Sequence, residues 1–126
     1  MSAMETTSYS ERALPRFRLH SRSLQSRSDR RALWMACVGV AACEADAGRR
    51  SAAVALARRW IEEQPSRVTL FEDWLRLLRS QEELEGILEP TSHNQQLRSV
   101  SPLAASIRPK EHREALVFFQ KNLAGS

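Results

Sequence analysis

Two cysteines, three histidines, two adjacent acidic pairs and an arginine-rich N-terminal stretch are the groups in this chain whose types invite chemistry. Cys37 and Cys43 lie in one apolar run. On a continuous helix they stand about 9 Å apart along the axis and on different faces, too far for an intrachain disulfide. No C-x-x-C pair or histidine cluster accompanies them, which speaks against zinc and dithiol chemistry. They are expected as reduced core thiols of a cytoplasmic protein. His20, His93 and His112 each stand alone, and His112 falls on the apolar side of a helix, the place of a core or boundary residue. Glu62-Glu63 and Glu82-Glu83 lie on solvated faces, where neighbouring carboxylates are routine. The residues therefore predict no catalytic constellation, no metal site and no cofactor, and the chain is not expected to be an enzyme.

Phosphate binding is the next chemistry to weigh. Residues 1–31 carry seven arginines against Glu5, Glu11 and Asp29, which accounts for the whole net charge of +4, while residues 32–126 are neutral. The pI of about 9.8 is thus a local property of a basic tail. Arg12, Arg16, Arg18, Arg22 and Arg27, with Arg30 and Arg31, are the candidate nucleic-acid contacts, each able to neutralise a phosphate and release a counterion. No helix presents a basic face, however. The one stretch resembling a helix-turn-helix, Glu72–Leu88, has a second segment reading Gln81-Glu-Glu-Leu-Glu85, whose carboxylates repel phosphate. A specific nucleic-acid partner is not expected. The excess of 17 Arg over 2 Lys, beside abundant Ala, fits GC-rich coding as readily as selection for guanidinium groups.

A third possibility is lipid attachment. Arg30-Arg31, the apolar Ala32–Ala42 and Val40-Ala41-Ala42-Cys43 resemble the charged region, apolar region and lipobox of a lipoprotein signal. The preceding stretch is far longer than such signals carry, and the same run serves well as a central helix. As a membrane span it is too short.

The elements that would position these groups are helical. Residues 1–31 form a Ser- and Arg-rich arm interrupted by Pro15, with Tyr9, Leu14, Phe17, Leu19 and Leu24 as its sizeable apolar groups; it is expected to be largely disordered. Residues 32–126 form a single domain. Ala32–Cys43 is apolar all round, the mark of a central buried helix, capped by Asp29 and stopped near Gly48. Ser51 caps a second helix to Glu63. Ten alanines between Ala32 and Ala57 leave room for the two to pack closely as an antiparallel hairpin. Thr69-Leu-Phe-Glu72 and Ser80-Gln-Glu-Glu83 are capping boxes that open an amphipathic stretch to about Leu88, with Leu70, Phe71, Trp74, Leu75, Leu77 and Leu78 on one face and a Glu72–Arg76 pair on the other. Glu89–Ile107 reads as a long loop with a turn of helix at Pro102–Ser106. Pro109 opens the last helix, which Gly125 closes. The expected fold is all-α, a compact bundle of about four helices (near residues 30–47, 51–63, 69–88 and 109–123) built on an N-terminal helical hairpin.

The last helix adds a clue about function. Its inward stripe is His112, Ala115, Leu116, Phe119 and Leu123. Val117 lies roughly 140° and Phe118 roughly 120° from the centre of that stripe, so both are expected to contribute apolar surface to a protein interface. Trp34 and Trp60 are candidate anchors if one subunit leaves the hairpin uncovered. A domain this small also favours a homodimer.

In size, Ala/Arg-rich composition, polar N-terminal arm and compact helical body over Ala32–Leu123, the chain resembles small helical bacterial antiactivators. It looks most like QslA-type proteins, which bind LasR-class quorum-sensing regulators. The resemblance is of the whole chain and carries no functional residue across. It implies a non-catalytic regulator that sequesters a transcription factor by blocking its dimerisation or DNA binding. The alternatives are a nucleic-acid-binding accessory protein using the Arg-rich arm and a lipid-anchored envelope protein processed at Cys43.

Overall fold

The apolar run at Ala32–Cys43 becomes the axis around which the chain folds. In the computed structural model, which describes residues 8–124, it forms most of α2 (Arg27–Ala45), and every residue from Ala36 to Cys43 is buried. Six more α-helices surround it: α1 (Ser8–His20), α3 (Ala47–Glu63), α4 (Val68–Leu77), α5 (Gln81–Glu85), α6 (Ser92–Arg98) and α7 (Pro109–Asn122). Short 3-10 turns occupy Pro65–Arg67, Gly86–Leu88 and Pro102–Ser106. The described residues contain no strand. The fold is all-α as expected, with seven α-helices among the described residues in place of about four.

The largest correction concerns the N-terminal arm. Its residues 8–20 are the helix α1, packed along α2. Ala13 and Phe17 are fully buried, Tyr9 and Leu14 pack at the margin, and Leu24 is buried just after the helix. Tyr9, Ala13 and Phe17 recur at intervals of four, which sets them on one face. Burying the Phe17 ring contributes about 1.5–3 kcal/mol by transfer from water. Pro15 sits on the exposed side, where it costs one backbone hydrogen bond without breaking the helix. Charge completes the docking: the Arg16 guanidinium grips Glu85 with two bonds of 3.0 and 2.7 Å and also reaches Glu44 at 3.0 Å.

Several helix ends also differ from expectation. Ser26, not Asp29, caps α2, its hydroxyl accepting from the Asp29 amide. Asp46 ends α2 and at once caps α3, accepting from the Gly48 amide at 2.9 Å, so Gly48 is no stop and Ser51 no cap. α4 follows directly on the Pro65–Arg67 turn, which replaces the Thr69 box. Arg76 pairs with Asp73 rather than with Glu72. The Ser80 cap is as expected, accepting from the Glu83 amide at 3.1 Å and opening α5. The Glu89–Ile107 stretch holds α6, capped by Thr91, as well as the expected turn at Pro102–Ser106. The proposed stop at Gly125 lies outside the described residues.

The α2–α3 hairpin is looser than its alanines suggest, because the Pro102–Ser106 turn packs against both helices and against α3 more extensively than α2 does. Gly39 makes this possible: a Cβ there would lie 2.9 Å from Leu103 Cβ. The turn is held by reciprocal bonds, Ser106 Oγ donating to the Arg49 carbonyl at 2.7 Å and Arg49 donating to the Ser106 carbonyl at 3.0 Å.

Candidate functional site

α7 lies across α2 and presents the candidate binding face. Pro109 occupies its first turn, and the Glu111 carboxylate accepts from the Arg108 amide at 2.8 Å while also pairing with Arg49 at 2.8 Å. Ala115 and Phe119 are buried, and His112, Leu116 and Leu123 are half-buried beside them, so the inward stripe stands. Val117 is 47% exposed. Phe118 is divided between two environments: one face stacks on the Trp34 indole, with centroids 5.3 Å apart and planes 16° from parallel, and the ring is only half-buried. Val117 and Phe118 share a shallow depression with Arg113, Glu114, Lys121 and Asn122, an apolar floor ringed by both signs of charge.

Trp34 itself is not an interface anchor. It is completely buried, with Phe17 edge-on at 5.7 Å, and its indole N–H donates to the Ala115 carbonyl at 2.8 Å. Two helices from opposite ends of the chain cover it within one subunit. Trp60 is half-buried and packs at a tilt on Phe71 of α4, with centroids 5.3 Å apart. The structure therefore brings Trp34 beneath Phe118 and leaves Val117 as the most exposed of the four.

The arginines of the arm divide similarly. Arg12, Arg18, Arg22 and Arg27 are exposed. Arg16 is committed to Glu85 and Glu44, a contact that raises its already high pKa and leaves it poorly placed for phosphate. Arg30 lies over the Phe17 ring and donates to the Leu123 carbonyl at 3.0 Å, tying α7 to α1.

Neither cysteine is poised for chemistry. Cys37 is buried, and desolvation pushes its pKa up to about 12. Cys43, also buried, donates to Ser106 Oγ at 3.6 Å, and burial likewise raises its pKa. Asp73 bridges Arg76 and His93 on the surface. Among the described residues no three His, Cys, Asp or Glu side chains converge as a metal site, and no helix is long and apolar enough to cross a membrane.

One charged side chain escaped the sequence reading altogether. Arg98, at the end of α6, is only 4% exposed. Its Nη1 donates to the carbonyls of Ile87 and Glu89 at 2.7 and 3.1 Å. Among the described residues no carboxylate lies within ion-pair distance of it, and its Nε and Nη2 have no hydrogen-bond partner. Burial lowers its pKa, yet a guanidinium stays charged at neutral pH. The Asp29 carboxylate acts on it only from beyond ion-pair distance, and burying a cation without a paired partner costs several kcal/mol. Nothing in Gln95-Gln96-Leu97-Arg98 signals this, since an arginine closing a short polar helix ordinarily lies in water.

Comparisons with protein-family models, with curated proteins and with solved structures find no match to this chain.

Proposed function

We propose that this protein is a non-catalytic, protein-binding regulator that works through the outer face of α7. The observation that carries the reading is the pairing of an exposed Val117 with a Phe118 whose inner face is fixed on Trp34. A rigid, half-presented aromatic ring beside an exposed aliphatic side chain suits an interface hot spot, because little side-chain entropy remains to be lost on binding. The whole-chain resemblance makes the proposal specific: an antiactivator that holds a LasR-class transcription factor so that it cannot dimerise or bind DNA. Self-association as a homodimer belongs to the same reading.

Val117→Asp tests this more cleanly than a change at Phe118, which also packs on the core. The expected result is binding to a purified LasR-class regulator weakened about tenfold or more, with folding stability changed by no more than about 0.5 kcal/mol. Titration calorimetry and urea melts read the two quantities, and sedimentation of the chain alone reads self-association. Unchanged regulator binding and unchanged self-association in the variant would sink the α7 interface.

The exposed Arg12, Arg18, Arg22 and Arg27 favour a second reading, nucleic-acid binding by the arm. Its signature is DNA retention that falls steeply with salt and disappears when these four arginines become glutamine.

A further inference from the structure

The shallow depression at Val117 and Phe118 is lined by α7 alone, with Arg113, Glu114, Lys121 and Asn122 as its rim. Among the described residues no other element walls it, so a second straight helix can lie along it. Glu114, Val117, Phe118 and Lys121 follow one another at i, i+3, i+4 and i+7, within an arc of about 100° of the helix surface. The two apolar side chains occupy the middle of this stripe, and one charge of each sign marks its ends. Among the described residues neither Glu114 nor Lys121 has an ion-pair partner within the chain.

Such a stripe is its own complement. Its midpoint falls between Val117 and Phe118, and Glu114 and Lys121 stand about 5 Å to either side along the helix. A two-fold axis level with that midpoint and perpendicular to the helix lays a second copy antiparallel on the first. The Val117 and Phe118 side chains of both copies then cluster round the axis. Each Glu114 comes level with the partner's Lys121, which gives two equivalent ion pairs. A parallel pairing in register would set glutamate on glutamate and lysine on lysine, a repulsion at both ends. Charge thus selects the antiparallel order, and Phe118 enters it already held by Trp34.

We propose that a second copy of this chain occupies the outer face of α7, in a two-fold antiparallel pairing closed at each end by Glu114 against the partner's Lys121. The inference rests on the reading of α7 as a protein-binding face and adds an occupant and a register to it. A two-turn stripe is much smaller than the roughly 20–30 residues per side of a standard interface. The dimer is therefore weak, with a Kd between about 10 μM and 1 mM.

The test uses the full-length protein. Sedimentation equilibrium should show a monomer–dimer equilibrium in the wild type by about 1 mM. Glu114→Lys and Lys121→Glu each set like charges at both ends and should weaken self-association about tenfold. Mixed in equal amounts, with one of them fluorescently labelled, the two variants should pair with each other at close to wild-type affinity, because each end again joins opposite charges. Diluting isotope-labelled wild type should move the backbone amide resonances of Glu114, Val117, Phe118 and Lys121, which tests the pairing without any variant. A wild type that is monomeric at about 1 mM would overturn the proposal; loss of regulator binding in Val117→Asp would in that case keep α7 as a binding face for the regulator alone. Self-association undiminished in folded Glu114→Lys and Lys121→Glu, or unrestored in their mixture, would overturn this register. Dilution shifts confined to other helices would do the same.

Discussion

Trp34 is covered from two sides, and the two covers are built differently. α1 brings Phe17, which is 1% exposed and meets the indole edge-on. α7 brings Phe118, which lies parallel to the indole and remains half in water. α1 has few large apolar side chains, yet Ala13 and Phe17 are wholly buried, and Arg16 fastens the helix through Glu85 and Glu44. Each helix also leaves one aliphatic side chain outside, Leu19 on α1 at 67% exposure and Val117 on α7 at 47%. What distinguishes the two covers is the ring each lays on Trp34, buried where α1 supplies it and half in water where α7 does.

Removing one cover and then the other would break or sharpen this contrast. The largest effect is expected at α1. Phe17→Ala should cost about 3–5 kcal/mol, as emptying an aromatic site in a closed core does, and deleting residues 1–26 should remove much of the helical signal along with it. Urea melts and circular dichroism measure both. A chain lacking residues 1–26 that keeps its full stability would mean that α1 is a detachable arm after all.

Phe118→Ala should cost less, about 1–2 kcal/mol, because only one face of the ring leaves a packed neighbour. The comparison is direct: if the two alanine variants melt alike, α7 closes the core as tightly as α1 does, and its outer face loses its claim to be surplus surface.

The smallest expected effect is electrostatic. The Arg16 hydrogen bonds, opposed by burial, hold the Glu85 carboxyl below the ordinary range. A carboxyl whose folded pKa is lowered contributes fully above its unfolded pKa, about 4.3, and its contribution disappears as pH falls through the folded value. Wild type should therefore exceed Arg16→Met in stability at neutral pH, by less than about 1 kcal/mol because the pair is partly exposed. The two should converge on acidification below the unfolded carboxyl pKa. A gap that is the same at acid and neutral pH would assign the role of Arg16 to packing of its aliphatic stem.

Much of the architecture was legible because it is dictated locally. An uncharged run such as Ala32–Cys43 has no stable place except a core helix. Pro109 suits a helix start whatever surrounds it, and the Ser80 hydroxyl finds the Glu83 amide within one turn. Of the candidate site, the relation between Val117, Phe118 and Phe119 follows from helical period alone. The short helix α6 was hidden in a polar stretch because seven residues with one buried leucine carry no readable period.

Tertiary structure decided the matters that need a distant partner. The stripe Tyr9-Ala13-Phe17 is too thin to announce burial, and only the Trp34 surface makes it a docked helix. Trp34 ceases to be a possible anchor because Phe17, Ala115 and Phe118 arrive from both ends of the chain. The α2–α3 hairpin is wedged by a turn that begins over fifty residues after Asp46. Arg98 is buried because folding sets the carbonyls of Ile87 and Glu89 beside it, residues that lie about ten positions earlier in the chain. Periodicity and capping act within a few residues, so the sequence alone determined where helices form. Burial and charge pairing depend on surfaces brought together from elsewhere, so only the folded chain decided which faces are covered.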